Sequence, residues 1–209
     1  GRLEFLAQTI QNLSVSELST FEFHFSALTD HESPSPPYPS TIPLGPLVLP
    51  SVRWALRRHH LIDDIPTRRL LREYILSAYS LAAQFAAFLK ANRPAAVVLF
   101  NGILYPEATA RWVARRVGVR SLAYEVGFQP YSVFFTEGEP TAYPVHIPDN
   151  FELSPEQNAR LDAQLEKRFQ GNFRMAVIRF WPEMRGLDQQ FIDKATRFRQ
   201  IFHVFTNVV

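Results

Sequence analysis

The sequence predicts an α/β fold, a three-layer sandwich with a mainly parallel sheet. The apolar run AAVVLF at 95–100 is continuous, which is typical of a strand buried on both faces. A helical pattern follows at 106–117, and a second strand pattern, RSLAYEVG, follows at 120–127. Strand, helix and strand with short connections favour a parallel pair joined by a right-handed crossover.

Residues 1–65 are predicted to be a helical and extended N-terminal region. A helical start is followed by FEFHF at 21–25, whose alternation places three phenylalanines on one face of a strand. Ser14 and Glu17 are also the pattern of a helix cap, so a helix and a strand both remain open here. Segment 33–50 carries seven of the chain's 16 prolines. We interpret it as an extended connection laid over the domain, with a proline-rich peptide ligand as the alternative.

The clearest helical pattern spans residues 66–91. Asp64 is the predicted cap, Pro66 lies in the first turn, and Arg93-Pro94 ends the helix. Its spacing predicts one buried face. That face comprises Leu71, Tyr74, Ile75, Ala78, Ala82, Phe85 and Leu89.

Further elements are predicted towards the C-terminus. Residues 131–145 suggest an aromatic hairpin around Glu137-Gly138, and Ser154 with Gln157 has the capping-box pattern. A last helix is expected near 188–198, followed by a strand at 201–209. The sequence stops directly after that strand. We therefore expect either a longer natural protein or a final strand that ends the sheet.

Composition excludes several classes of function. The 209 residues are 46% hydrophobic and 20% charged, with a net charge of +2. The arginines are scattered, so no nucleic-acid partner is predicted. There are no cysteines, hence no disulfide or thiolate chemistry. No segment reaches the ~18 apolar residues of a transmembrane helix, and the opening GRLEFLAQTI does not resemble a signal peptide.

Several established motifs are missing. The sequence has no GxxxxGK[ST], no GxGxxG after a strand, no GxSxG and no HExxH. Its six histidines show no recognised metal spacing, so neither a metal nor a cofactor is predicted. Asp63-Asp64 are expected to cap a helix, with metal binding as the alternative. His59-His60 are interpreted as structural.

Two polar positions follow the predicted strands. Asn101-Gly102 comes directly after AAVVLF, and Glu125 lies just before Gly127. Because parallel strands bring their carboxyl ends to one edge, we expect Asn101 and Glu125 to converge on a cleft there. An amide, a carboxylate and two glycines that let a ligand approach the backbone suit a polyhydroxylated ligand. The alternative is that Asn-Gly forms only a tight turn and that Glu125 accepts backbone N–H groups.

Segment 100–130 resembles a pattern in bacterial capsule-polysaccharide glycosyltransferases of GT-B type. There an apolar strand ends in Asn-Gly, a helix follows, and a small hydrophobic residue, Glu, any residue and Gly precede an aromatic-rich loop. The closing FHVFTNVV resembles the strand that leads those enzymes into their second Rossmann-like domain, where the sugar nucleotide binds.

The resemblance implies that the chain is the N-terminal, acceptor-side half of such an enzyme. Residues 66–209 would be its Rossmann-like α/β core. Glu125 would be catalytic, and Asn101, Gly102 and Gly127 would bind substrate.

The implied partners are a nucleotide-sugar donor, held mainly by a C-terminal domain, and a glycan acceptor in surface polysaccharide biosynthesis. No metal is implied, because GT-B sites stabilise the leaving phosphates with helix N-termini and basic side chains. The implied location is the cytoplasm, with a peripheral position at the inner membrane as an alternative. Ile103 and Val126 depart from the pattern, because relatives often carry basic or polar residues there.

Two other classes of function remain open. One is a noncatalytic α/β module that binds a carbohydrate or nucleotide without a partner domain. The other is a protein-interaction domain that exposes an apolar patch around Phe134, Phe135 and Tyr143.

Overall fold

The computed structural model describes residues 1–25, 41–127, 131–142, 144–169, 189–195 and 197. The helices among them are α1 (Arg2–Thr9), α2 (Val15–Ser19), α3 (Leu44–Leu56), α4 (Ile65–Asn92), α5 (Glu107–Arg116), α6 (Pro155–Phe169) and α7 (Gln189–Ala195). The strands are β1 (Phe23–His24), β2 (Thr41–Ile42), β3 (Ala96–Phe100), β4 (Arg120–Val126) and β5 (Val133–Thr136).

The chain divides into two compact units. The first comprises the described residues of Gly1–Glu125 and Phe135–Tyr143, and the second those of Val126–Phe134 and Pro144–Thr206. The helices of the first 65 residues pack on α4 and share one apolar core with it, because their buried side chains have no core of their own to fill. Its largest fully buried members include Leu6, Ile10, Leu18, Phe25, Ile42, Leu71, Ile75 and Val113.

Local signals set the ends of α4 as the sequence predicts. The Asp64 carboxylate accepts a hydrogen bond of 2.8 Å from Thr67 N, and Pro66 lies in the first turn. Arg93 ends the helix in the left-handed region, with φ of 45°. The predicted buried face is confirmed at most positions.

Tyr74 and Phe85 are the exceptions on that face, and both are only half-buried. Phe85 stacks on the exposed Phe88, with ring centroids 6.0 Å apart. Ala86 is fully buried instead. The buried stripe drifts around the helix because 3.6 residues make a turn, so Phe85 falls at its border.

The ambiguous stretch near residue 20 forms both predicted elements. Ser14 caps α2, since its side-chain oxygen accepts from Glu17 N at 3.3 Å. The backbone N–H of Ser14 donates in return to the Glu17 carboxylate at 2.8 Å. The strand β1 follows and pairs antiparallel with β2. Phe25 is buried while Glu22 and His24 are exposed, as the alternation predicts.

The interpretation of segment 33–50 as an extended connection is wrong for part of the segment. The helix α3 begins at Leu44, inside the segment, and contains Pro50. Leu44, Val48 and Val52 are fully buried at four-residue spacing. Burial of that stripe outweighs the hydrogen bond that Pro50 cannot donate. Residues 33–40 lie outside the described part of the chain.

The sheet beside the candidate site contains three strands in the order β3-β4-β5. The strands β3 and β4 are parallel, with Ala96 opposite Arg120 and Phe100 opposite Tyr124, as predicted. The strand β5 makes the sheet a mixed one. The α/β class is thus confirmed, while the three-layer, mainly parallel arrangement stays a prediction.

The prediction that β3 is buried on both faces is wrong. Val97 packs against the core, but Val98 and Phe100 keep 57% and 46% of their surface exposed. On the exposed face, the Tyr124 ring lies 5.4 Å from that of Phe100 and 5.6 Å from that of Phe135. A continuous apolar run does not distinguish a covered strand face from one that carries exposed aromatic rings.

The predicted hairpin around Glu137-Gly138 is also wrong. The strand β5 pairs with the preceding β4, and Gly127 N donates to Ser132 O at 2.9 Å in the connection. Glu137 and Gly138 form a bend instead, and Pro140–Ala142 after them forms a 3-10 helix rather than a returning strand. Of the predicted apolar patch, Phe135 is exposed, Phe134 is half-buried and Tyr143 lies outside the described residues.

The capping box of α6 is confirmed. Ser154 N donates to Gln157 Oε1 at 2.8 Å, and Gln157 N donates to Ser154 Oγ at 3.3 Å. The helix α7 falls within the predicted 188–198, and the predicted strand at 201–209 lies outside the described residues. None of the described helices has the length and apolar character needed to span a bilayer.

Candidate functional site

Asn101 and Glu125 lie side by side at the carboxyl end of the parallel pair. Each follows the last registered pair of residues, Phe100 and Tyr124. Asn101 N donates to Tyr124 O at 2.7 Å and extends the ladder by one bond. The Asn101 side-chain amide then donates to Glu125 Oε2, also at 2.7 Å.

Asn101 also forms the tight turn that the alternative interpretation required. Its φ is 59° and that of Gly102 is 74°, so both residues adopt the left-handed region that asparagine and glycine tolerate best. Its side-chain oxygen accepts from Ile103 N at 3.1 Å. One side chain therefore forms the turn and contacts the carboxylate.

The loop after this turn is held on the helical layer. Tyr105 N donates to Ser51 Oγ at 2.6 Å, and the Tyr105 hydroxyl pairs with Ser77 Oγ at 2.6 Å. These contacts tie the loop to α3 and α4. They fix the start of α5 relative to the end of β3.

The two glycines have structural reasons for their small size. A Cβ at Gly102 would lie 3.1 Å from Arg111 Cδ and 3.4 Å from Ala123 Cβ. A Cβ at Gly127 would lie 2.1 Å from Ser132 Oγ. In both cases the close approach comes from the chain's own atoms. A ligand-binding role for Gly102 and Gly127 stays a prediction.

A cavity of about 260 Å³ begins next to the turn. Its lining includes Gly102 and Ile103 but neither Asn101 nor Glu125, so the prediction that those two side chains face a cleft stays untested by this cavity. Two arginines of α5, Arg111 and Arg115, also line it.

Arg111 is the residue that sequence reasoning missed. Only 8% of it is exposed, and its guanidinium donates to the carbonyls of Gly102 and Gly138. Burial, and then repulsion from Arg115, lower the pKa of Arg111. Its burial could have been predicted from its position three residues after Ala108, because that spacing places it on the face that α5 buries.

The Asp63-Asp64 pair has structural partners, as predicted. Asp63 accepts from Val15 N at 3.0 Å and from two nitrogens of Arg68, at 2.6 and 2.9 Å. The hydrogen bond from Arg68, and then that from Val15, lower the pKa of Asp63. Asp64 caps α4.

The neighbouring His59 and His60 are exposed, and their rings meet edge to face with centroids 4.9 Å apart. In the described ranges, no three His, Asp or Glu side chains are grouped to hold a metal ion.

No protein family, curated protein or solved structure matches the chain. Two observations therefore support the candidate site. These are the contact between Asn101 and Glu125 at the strand ends and the resemblance carried by segment 100–130.

Proposed function

We propose that this chain is the N-terminal, acceptor-side half of a GT-B glycosyltransferase, with a three-layer Rossmann-like core, that builds a surface polysaccharide. The observation that supports it is the pairing of the Asn101 amide with the Glu125 carboxylate at the carboxyl end of two parallel strands. Ligands of open α/β sheets bind at this edge. The resemblance in segment 100–130 supplies the class of reaction.

In this proposal Glu125 is the general base. Its carboxylate takes the proton of an acceptor hydroxyl, whose oxygen bonds to the anomeric carbon of the donor sugar. The bond from that carbon to the nucleotide phosphate breaks, and the phosphate leaves with the electron pair. The donor is held mainly by a second, C-terminal domain.

Asn101 holds the base in place. Its side-chain amide is fixed on one side by Ile103 N and on the other by Glu125, so rotation of the carboxylate costs a hydrogen bond. A positioned base is more effective than a mobile one because the reacting atoms meet more often in the productive geometry. Gly102 and Gly127 complete the proposed acceptor side.

The test is the substitution Glu125→Gln in a protein that contains both halves, assayed by transfer of labelled sugar to an acceptor glycan. Glutamine keeps the shape and can still accept from Asn101, but it is not a base. We expect transfer to be abolished and the melting temperature to change by less than about 2 °C, which corresponds to less than ~1 kcal/mol.

Glu73→Gln is the matched control, since Glu73 lies on α4 and pairs with Arg69 on the surface. It should leave transfer unchanged. Normal turnover by the Glu125→Gln enzyme would show that Glu125 is not the base. A loss of several kcal/mol of stability would make the carboxylate a structural partner.

A second candidate is a noncatalytic module that binds a carbohydrate or nucleotide. The cavity beside Gly102 favours it, because all of its lining lies within the first compact unit. This candidate predicts measurable affinity in the 209-residue chain alone. Isothermal titration with nucleotide sugars and with oligosaccharides separates it from the glycosyltransferase, whose donor needs the other domain.

A further inference from the structure

The cavity beside Gly102 contains a buried cation that forms no ion pair with any described residue. Arg111 forms part of its wall and is 92% buried, being only 8% exposed. Within the described ranges, its Nε has no hydrogen-bond partner and its guanidinium forms no ion pair. The groups that it does contact, the Gly102 and Gly138 carbonyls, are neutral.

This arrangement is costly for the protein alone. A buried charge is stabilised by an opposite charge, and carbonyl dipoles compensate it only in part. Arg115 adds a second positive charge at the exposed rim, where its guanidinium donates to the Glu137 carbonyl. Glu139, the carboxylate in the lining, is exposed, so water screens its attraction.

We propose that this cavity binds a phosphoryl group, with Arg111 at its base and Arg115 at its rim. Guanidinium groups match the oxygens of phosphate in pairs. Nη1 and Nη2 of Arg111 each donate one of their two N–H groups to a carbonyl, which leaves one N–H on each for a phosphate oxygen. A dianion would neutralise both arginines at once. The site does not depend on the glycosyltransferase proposal, since Glu125 is not in the lining.

The walls indicate what else the ligand carries. Leu47 and Trp112 line the cavity together with prolines of α3. An apolar wall with an aromatic ring next to a phosphate site suits the carbon skeleton of a phosphorylated small molecule. A volume of about 260 Å³ is somewhat below the usual range for drug-sized ligands, which suits a small one.

The competing explanation is that Arg111 only bridges two carbonyls. In that case Nη1 and Nη2 of Arg111 connect the turn at Gly102 to the bend at Gly138 and hold these two segments in place. The bridge needs no ligand. It predicts that anions have no specific effect on the protein, so the two explanations differ in a measurable way.

The experiment is thermal unfolding of the 209-residue chain in sodium phosphate, with sodium chloride and sodium acetate at the same ionic strength. We expect phosphate alone to raise the melting temperature, with a saturable dependence on concentration. Arg115→Gln should weaken phosphate binding roughly tenfold, because one charge-assisted contact is lost at an exposed position.

Arg69→Gln is the matched control. Arg69 is exposed on α4 and pairs with Glu73, so this variant loses the same charge away from the cavity. It should bind phosphate as the unsubstituted chain does. Arg111→Lys keeps the charge but loses the fork, and we expect weaker binding. If that variant does not fold, Arg115→Gln carries the test.

Three results would overturn the proposal. The first is a rise in melting temperature in chloride or acetate as large as that in phosphate. The second is an Arg115→Gln variant that binds phosphate as tightly as the unsubstituted chain. The third is an Arg69→Gln variant that loses as much phosphate affinity as Arg115→Gln. Glucose 1-phosphate distinguishes two sources of the group: tighter binding than inorganic phosphate assigns an organic phosphate, and equal or weaker binding assigns the free ion. Glu125→Gln should leave phosphate binding intact, so this proposal and the glycosyltransferase proposal fail separately.

Discussion

The side-chain amide of Asn101 donates a hydrogen bond of 2.7 Å to the carboxylate of Glu125, across the carboxyl ends of two adjacent parallel strands. Glu125 follows Asn101 by 24 positions in the chain, and the stretch between them contains the helix α5 and most of β4. Because the same asparagine also forms the turn after β3, the geometry of the turn and the position of the carboxylate are coupled.

Substitution of Asn101 should separate those two contributions. Asn101→Ala removes both side-chain hydrogen bonds. It keeps a Cβ in the left-handed region, at φ of 59°, without the polar group that compensates for the strain there. We expect it to lower the free energy of unfolding by roughly 2–4 kcal/mol. Asn101→Gly loses the same bonds but accepts the backbone conformation, so its loss should be smaller by about 1–2 kcal/mol. Urea unfolding measures both, and equal losses would show that the turn is unstrained.

Gly45 should tolerate no side chain. Its N–H donates to Phe21 O at 2.9 Å, and a Cβ there would lie 2.2 Å from the backbone oxygen of Leu18. Backbone cannot move aside as a side chain can, so we expect Gly45→Ala to cost about 3 kcal/mol or more.

Gly118→Ala is the control for Gly45→Ala. Gly118 has φ of 75° and open space around it, so its substitution should cost only about 1–2 kcal/mol. Thermal unfolding compares the two variants. A Gly45→Ala protein as stable as the Gly118→Ala protein would contradict the close packing of α3 against the Leu18 carbonyl.

The centre and the border of the buried face of α4 should respond differently to truncation. Ile75 is fully buried, and Ile75→Ala should cost roughly 2–5 kcal/mol from lost burial and the cavity left behind. Phe85 is half-buried, so Phe85→Ala should cost less than the ~3–5 kcal/mol typical of a buried phenylalanine. Guanidinium unfolding of both variants checks the order. A larger loss of unfolding free energy for Phe85→Ala than for Ile75→Ala would show that the buried stripe of α4 is assigned to the wrong side of the helix.

Asp63 should contribute stability that depends on pH. Its pKa is lowered in the folded chain, chiefly by the hydrogen bond from Arg68. The ionised carboxylate therefore stabilises the fold above its ordinary pKa of about 4, and this contribution is lost as the pH falls below that value. The difference in melting temperature between the unsubstituted chain and Asp63→Asn should be largest near pH 6–7 in low salt, and should shrink below about pH 4.

A lost surface charge alone should not reproduce that pH dependence. Asp162→Asn removes an exposed carboxylate on α6 and serves as the comparison. If the effect of Asp63→Asn stayed constant from pH 7 to pH 3, the contact between Asp63 and Arg68 would not be the source of the stability.

Signals between near neighbours in the sequence were enough to predict where several elements begin and end. Asp64 and Arg93 bound α4, and Ser154 with Gln157 begins α6, because a cap is a contact among residues within one helical turn. The order strand, helix, strand also predicted the parallel pairing of β3 and β4. Short connections and right-handed crossovers leave few other arrangements.

Only the tertiary structure decided which surfaces are covered. The burial of Val48 makes part of the proline-rich segment helical, the exposure of Val98 leaves one face of β3 uncovered, and the burial of Arg111 places a cation in a cavity. Each depends on elements far away in the chain. Burial is a property of what packs against a residue, and a sequence pattern specifies which face is apolar without specifying what covers it.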